Sequence, residues 1–133
     1  TYIDAALNYF YVQNGQTTSV TSQLPFQPSQ IANINLGYEY EPWQLNINLV
    51  YNYNGEYPTI LKLTPEDFEV TRNAIHTYDL ILAKVIETEH VKYTLRGGVR
   101  NLLNAVDTYT LNDRVFDSTN LGRNYLCEIQ MNF

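Results

Sequence analysis

Apolar and polar residues alternate with a period of two in six separate stretches of this chain. Successive side chains of a β-strand point to opposite faces, so each stretch predicts a strand with one apolar and one polar face. The six stretches are residues 2–12, 32–40, 45–54, 76–87, 91–100 and 123–133. The pattern predicts an all-β protein, and short connections between some of the strands favour antiparallel pairing.

The connections between the predicted strands alternate in length. Residues 41–43 and 88–90 form short turns, whereas residues 14–29, 55–73 and 104–121 form long loops. Transmembrane β-barrels have short turns on the periplasmic side of the membrane and long loops on the outside. The alternation therefore predicts an antiparallel segment of a transmembrane β-barrel with its three long loops outside the cell.

The last predicted strand gives the same orientation. Its alternate residues fall on one face, which consists of Tyr125, Cys127, Ile129, Met131 and Phe133. A strand face of this kind that ends in an aromatic residue resembles the C-terminal assembly signal of bacterial outer-membrane β-barrel proteins. The resemblance implies that these five residues are recognised by the barrel assembly machinery and that Phe133 lies at the periplasmic end.

Composition narrows the class of protein further. Twelve tyrosines exceed phenylalanine and tryptophan together, and tyrosine suits a boundary between water and lipid. We expect aromatic girdles at both ends of the strands, formed by Tyr9, Tyr11, Tyr51 and Tyr53 outside and by Tyr38, Tyr40, Trp43 and Phe133 at the periplasmic side. A net charge of −6 argues against nucleic acid as a partner.

Two stretches resemble motifs of the TonB-dependent outer-membrane receptors and transporters. Residues 98–109 are similar to the motif of the penultimate strand, and residues 121–125 are similar to the Gly-Arg-aromatic start of the closing strand. The residues that carry this resemblance are Asn101, Leu102, Leu103, Asn104, Tyr109, Gly122 and Arg123. Residues 33–40 and 50–57 look like the hairpin that precedes these motifs in the family.

The resemblance implies that residues 1–133 are about six strands from the C-terminal part of a barrel of about 22 strands. The plug domain and the N-terminal region that contacts TonB are absent from this chain, and six strands alone would leave open edges in lipid. The complete receptor would lie in the bacterial outer membrane, contact lipid and lipopolysaccharide, and import a scarce nutrient. The nutrient would be a siderophore, haem, a glycan, a peptide or cobalamin.

Two other functions fit the alternation of the strands. One is a passive outer-membrane porin or adhesin barrel, which would have no plug. The other is a soluble lipid-binding β-barrel, in which the apolar face would point inward. The long predicted loops count against the soluble barrel, because its strands should be joined by uniformly short turns.

Polar positions on the predicted strands suggest contacts with the barrel lumen or the plug. These candidates are Arg96, Arg100, Asn46 and Asn48. The two arginines share a face, so they could pair with acids of a plug domain, contact an anionic substrate, or pair with neighbouring acids of the barrel itself.

The search for catalytic chemistry gives a negative expectation. His76 and His90 lie at opposite ends of one predicted strand, too far apart to share a metal ion. We expect no enzyme activity, no cofactor and no metal site. Acidic residues cluster in two of the long loops, where they would meet a cationic ligand, divalent ions or only solvent; they are Glu56, Glu66, Asp67, Glu69, Asp107, Asp113 and Asp117.

Overall fold

The computed structural model describes residues 5–13, 15–60 and 68–132. Within this part the chain is all-β, with eleven strands and one short 3-10 turn, and the pairs given below are antiparallel. The strands are β1 (Ala6–Gln13), β2 (Gln16–Gln23), β3 (Ile31–Tyr40), β4 (Leu45–Asn54), β5 (Tyr57–Ile60), β6 (Val70–Arg72), β7 (Ile75–Glu87), β8 (Lys92–Arg100), β9 (Val106–Leu111), β10 (Arg114–Asn120) and β11 (Asn124–Asn132). The prediction of an all-β, antiparallel chain is confirmed.

The described residues belong to two compact units. The first unit draws on Thr1–Ala32, Tyr53–Ile75 and Val106–Asn120, and the second draws on Asn33–Asn52, His76–Ala105 and Leu121–Phe133. The first unit holds a two-stranded sheet, β1-β2, and a four-stranded sheet in the order β10-β9-β6-β5. The second unit holds a five-stranded sheet in the order β11-β8-β7-β4-β3.

Five of the six predicted strands form the five-stranded sheet, with bounds within one residue of those predicted from the alternation. Both predicted short turns are also present. The 3-10 turn at Glu41–Trp43 joins β3 to β4, and it ends where Gln44, in the left-handed region at φ 47°, donates its N–H to Glu41 O at 3.0 Å. At the second turn Thr88 N–H donates to Val91 O at 3.0 Å, which closes the connection between β7 and β8.

The prediction of about six strands joined by three long loops is wrong for the loops. Residues 14–29 contain β2, residues 55–73 contain β5 and β6, and residues 104–121 contain β9 and β10. These strands lack a regular apolar face; β2 reads Gln-Thr-Thr-Ser-Val-Thr-Ser-Gln. Threonine favours strands, but a strand that is polar on both sides gives no signal with a period of two.

The first predicted strand does not belong to the five-stranded sheet. Instead, β1 pairs with β2 in a hairpin, from Ala6 opposite Gln23 to Gln13 opposite Gln16. A turn with Gly15 at φ 76° links the two strands. Local pairing across so short a connection costs less loop entropy than pairing with a strand distant in sequence.

Few of the described residues are shielded from solvent. Val70 and Ile75 are the buried hydrophobic residues of the described part, and both belong to the first unit. Asn101 is the buried polar residue, and it belongs to the second unit. Ile75 is the first residue of β7, and every other described residue of the five strands β3, β4, β7, β8 and β11 is partly or fully exposed.

Candidate functional site

The hydrogen-bonding register sorts the residues of β7, β8 and β11 onto two faces. Residues directly opposite each other in an antiparallel pair project from the same side of the sheet. Lys84 lies opposite Leu95, and Leu95 lies opposite Ile129 on the other side. The full set on this apolar face is Leu80, Leu82, Lys84, Ile86, Tyr93, Leu95, Gly97, Val99, Tyr125, Cys127, Ile129 and Met131.

The apolar face is open to its surroundings. On β11, Tyr125, Ile129 and Met131 are 75%, 60% and 54% exposed, and Leu82 on β7 is 40% exposed. Soluble monomers rarely expose contiguous apolar patches larger than a few hundred Å², and larger patches mark contact with a partner or a membrane. Four of the five residues predicted as an assembly signal lie on this face, and Phe133 lies outside the described residues.

Aromatic residues meet a lysine where β3 turns into β4. The rings of Tyr40 and Trp43 are edge to face, with centroids 5.6 Å apart. Lys84 Nζ lies 6.0 Å from the centroid of the Trp43 ring. The ammonium group thus reaches toward an aromatic ring at the end of the sheet, as a long side chain does when its charged group extends out of an apolar face.

A second aromatic group lies toward the other end of the same strands. The rings of Tyr51 on β4 and Tyr78 on β7 have centroids 5.0 Å apart. Tyr51 Oη and His76 Nδ1 are 2.8 Å apart in a hydrogen bond. Rings with polar tips therefore occur at both ends of the apolar face, an arrangement typical of strands that cross a bilayer.

The opposite face of the sheet carries ion pairs between neighbouring strands. Arg96 Nη1 lies 3.1 Å from Glu128 Oε2, and Lys92 Nζ lies 2.6 Å from Glu87 Oε1. All four side chains are about half exposed, so water has access to this face. Of the three partners considered for Arg96, the structure places a neighbouring acid of the same sheet against it.

The other three candidates for lumen or plug contacts also lie along polar positions. Arg100 is opposite Asn124 in the ladder between β8 and β11. Asn46 and Asn48 on β4 line a shallow recess that also includes Asn35 and Glu39 of β3. Asn48 Oδ1 is buried and has no hydrogen-bond partner among the described residues.

The two sequence motifs meet at one point in the second unit, which we call the motif junction (residues 101–104 and 122–123). Asn101 is 7% exposed and left-handed at φ 54°. Its Nδ2 donates to Gly122 O at 2.7 Å, and its Oδ1 accepts from Ala105 N–H at 2.8 Å. One amide side chain therefore connects the turn after β8 to the start of β11.

Further hydrogen bonds tie the junction to β7. Asn101 N–H donates to Asp79 Oδ1 at 2.9 Å, and Leu102 N–H donates to Tyr78 O at 2.7 Å. Arg123 Nε donates to Leu102 O at 2.9 Å. The sequence did not predict a role for Asp79 at the junction. The alternation of apolar and polar residues indicates only that Asp79 lies on the polar face of a strand.

The remaining motif residues have different surroundings. Asn104 is left-handed at φ 57° and donates its N–H to Asn101 O at 2.9 Å, while Leu103 is 66% exposed. Tyr109 lies in β9 of the first unit, opposite Arg72. It takes no part in the hydrogen bonds of the motif junction.

A second polar cluster lies in the four-stranded sheet of the first unit. Arg72 Nε and Nη2 donate to the two carboxylate oxygens of Asp107 at 2.7 and 2.9 Å, and Arg72 Nη1 donates to Tyr57 Oη at 3.0 Å. The hydrogen bonds to Asp107 raise the pKa of Arg72 above its usual value, although partial burial opposes this. Sequence reasoning missed this cluster because residues 55–73 were treated as a loop without register.

Glycines 97 and 98 of β8 differ in the space around them. A Cβ added to Gly98 would lie 2.9 Å from Leu80 O of the neighbouring strand, whereas one added to Gly97 would lie 4.0 Å from Leu126 O. Gly98 is therefore required by the close approach of β7 and β8.

Within the described residues, no group of three or more His, Cys, Asp and Glu side chains is placed to hold a metal ion. Over the same residues, the chain has no helix of sufficient length and hydrophobicity to cross a membrane. No family model, curated protein or solved structure matches the chain.

Proposed function

We propose that the five-stranded sheet is part of a transmembrane β-barrel in a bacterial outer membrane, with its apolar face against lipid. The open apolar face is the observation that carries this proposal. Residues of this face such as Ile129 and Met131, which are 60% and 54% exposed, would each gain part of the about 1.5–3 kcal/mol that full burial of such a side chain contributes. A bilayer supplies that hydrocarbon without requiring a further layer of protein.

The lengths of the strands support the same proposal. Strands β8 and β11 have nine residues each, and β7 has 13. A transmembrane β-strand tilted by about 45° needs about 9–11 residues to cross the hydrocarbon core of a bilayer, so strands of nine or more residues are long enough. The aromatic groups around Trp43 and Tyr51 would then lie near its two boundaries.

The polar face and the sheet edges fit a larger barrel. Ion pairs such as Arg96 with Glu128 remain wet if this face lines a lumen, where their charges carry little desolvation cost. Among the strands that the structure describes, the edge strands β3 and β11 each have one neighbour in the sheet. In hydrocarbon every backbone group needs a partner, so we infer that strands from the remainder of the barrel pair with both edges.

The motif residues support the proposal that the complete protein is a TonB-dependent receptor. It would take up a scarce nutrient with the help of TonB, a plug domain and the barrel assembly machinery, in contact with lipopolysaccharide. The support is the resemblance in sequence, together with the motif junction, where the two resembling stretches share the hydrogen bonds of Asn101.

Growth under nutrient limitation tests this function in the native bacterium. Deleting the gene should abolish growth on one nutrient among siderophore-bound iron, haem, cobalamin, glycans and peptides. Removing TonB should abolish growth on the same nutrient, because transport needs energy from the inner membrane. Growth that needs this protein but persists without TonB would identify a passive porin and contradict the proposal.

A further inference from the structure

The first unit contains a cavity that the barrel proposal does not use. Its volume is about 780 Å³, which lies within the range of roughly 300–1,000 Å³ for small-molecule sites. Strands β5 and β6 and the turn between β9 and β10 form its walls, and most of the lining side chains carry amides, hydroxyls or carboxylates. A lining of this kind suits a hydrophilic ligand.

Three carboxylates reach the cavity from three different connections. Glu56 precedes β5, Glu69 precedes β6, and Asp113 lies in the turn between β9 and β10. That turn is fixed by Asn112 and Asp113, which are both left-handed at φ 46° and 63°. Among the described residues that line the cavity there is no lysine or arginine, so the carboxylates give this part of the wall negative charge.

The neighbouring cation does not neutralise the cavity. Arg72 is not among the lining residues, and its guanidinium is held by both oxygens of Asp107. No described lining residue carries a positive charge, so the carboxylates of the wall would attract a cationic ligand. Attraction of this kind falls as salt concentration rises.

Amide and hydroxyl groups surround the carboxylates. Thr110 Oγ1 donates to Asn73 Oδ1 at 3.1 Å, and Thr71 Oγ1 donates to Glu69 Oε1 at 3.3 Å. These bonds hold the side chains in place while the Asn73 amide can donate and the Glu69 carboxylate can accept further hydrogen bonds. A ligand with several hydroxyl groups could use both kinds of partner along the wall.

We propose that this cavity binds a small amino sugar, with its protonated amines near the carboxylates and its hydroxyls on the amides and threonines. Binding here does not require the five-stranded sheet to face lipid. Failure of this proposal and failure of the membrane assignment are therefore separate results.

Calorimetric titration of the purified full-length protein tests the proposal with the disaccharide of glucosamine. The matched neutral ligand is its N-acetylated form, which keeps the sugar rings and removes the positive charge. The amino form should bind at least tenfold more tightly, and raising the salt concentration should reduce the difference. Equal affinity for the two sugars, or no binding of either, would overturn the proposal.

Three variants localise the binding. Glu69→Gln and Asp113→Asn should each weaken binding by up to about fivefold, the range expected for one exposed charge pair. Asp117→Asn is the control, because Asp117 lies on β10 of the same unit and accepts a hydrogen bond from Ser118 N–H rather than lining the cavity. An equal loss of affinity in the control would place the binding elsewhere.

The linear diamine 1,5-diaminopentane distinguishes an amino sugar from a cation in general, because it carries the same two positive charges as the glucosamine disaccharide. It should bind more weakly than the disaccharide, because it lacks the hydroxyl groups. Equal or tighter binding of the diamine would show that charge alone governs the site and would reject the amino sugar.

Discussion

Replacing Asn101 should destabilise the second unit through two separate effects. The side chain donates to Gly122 O at 2.7 Å and accepts from Ala105 N–H at 2.8 Å while it is 7% exposed. Each net hydrogen bond is worth about 0.5–1.5 kcal/mol, and a buried group that loses its partner costs more. The left-handed φ of 54° adds about 1–2 kcal/mol for a residue such as alanine, which disfavours that conformation.

The two effects can be separated by comparing two substitutions. Asn101→Ala should lower the free energy of unfolding by about 2–4 kcal/mol, because it loses both hydrogen bonds and strains the backbone. Asn101→Gly should cost about 1 kcal/mol less, because glycine adopts a positive φ freely. Urea unfolding in detergent micelles, followed by the fluorescence of Trp43, the single tryptophan of the chain, measures both values.

Asn104 provides the matched control. It has a similar φ of 57°, but its hydrogen bond to Asn101 O comes from the backbone and survives substitution. Asn104→Gly should therefore change the free energy of unfolding by less than about 0.5 kcal/mol. If Asn104→Gly costs as much as Asn101→Gly, or if neither Asn101 variant is destabilised, the motif junction does not stabilise the fold.

Three other outcomes follow from contacts and from the terminal residue. Gly98→Ala should lower the free energy of unfolding by about 1–3 kcal/mol, because the Cβ of the new alanine would lie too close to a backbone oxygen. Gly97→Ala should be tolerated. Equal effects of the two substitutions on urea unfolding would refute this reasoning. A double-mutant cycle on Arg72 and Asp107 should give a coupling of about 1–2 kcal/mol. The raised pKa of Arg72 means that the stability from this ion pair is lost only as the pH rises through that pKa. The coupling energy should therefore be unchanged from about pH 7 to about pH 10. A coupling energy that declines over this range would contradict the ion pair. Deleting Phe133 should reduce the surface level of the protein far more than its synthesis, as measured by surface labelling and blotting; equal surface levels would reject the assembly signal.

The faces of the central strands could be predicted from sequence because alternation is a local property. The apolar set that includes Leu95 and Ile129 was predicted from residue order alone, and the register of β8 and β11 places these two residues opposite each other. The alternation of apolar and polar residues is visible within each strand, so its two faces can be assigned without knowing which strands lie beside it.

Pairings over long sequence separations could not be predicted in this way. Arg72 and Asp107 are 35 positions apart, and Asn101 and Gly122 are 21 apart. Resemblance identified the last two as motif residues, but only the folded sheet brings them into contact. Strands such as β2 and β10 could not be predicted, because their sequences do not alternate between apolar and polar residues. Only the hydrogen bonds to a neighbouring strand identify them.

The most direct test of the membrane assignment compares two adjacent residues of β11. Ile129→Cys and Gln130→Cys, each in a protein with Cys127→Ser, would carry nitroxide spin labels on opposite faces of one strand. In the native outer membrane the label at position 129 should be accessible to oxygen and shielded from a water-soluble nickel chelate. The label at position 130 should show the reverse. A reversed pattern, or equal access of the chelate to both labels, would contradict the claim that the apolar face lies against lipid.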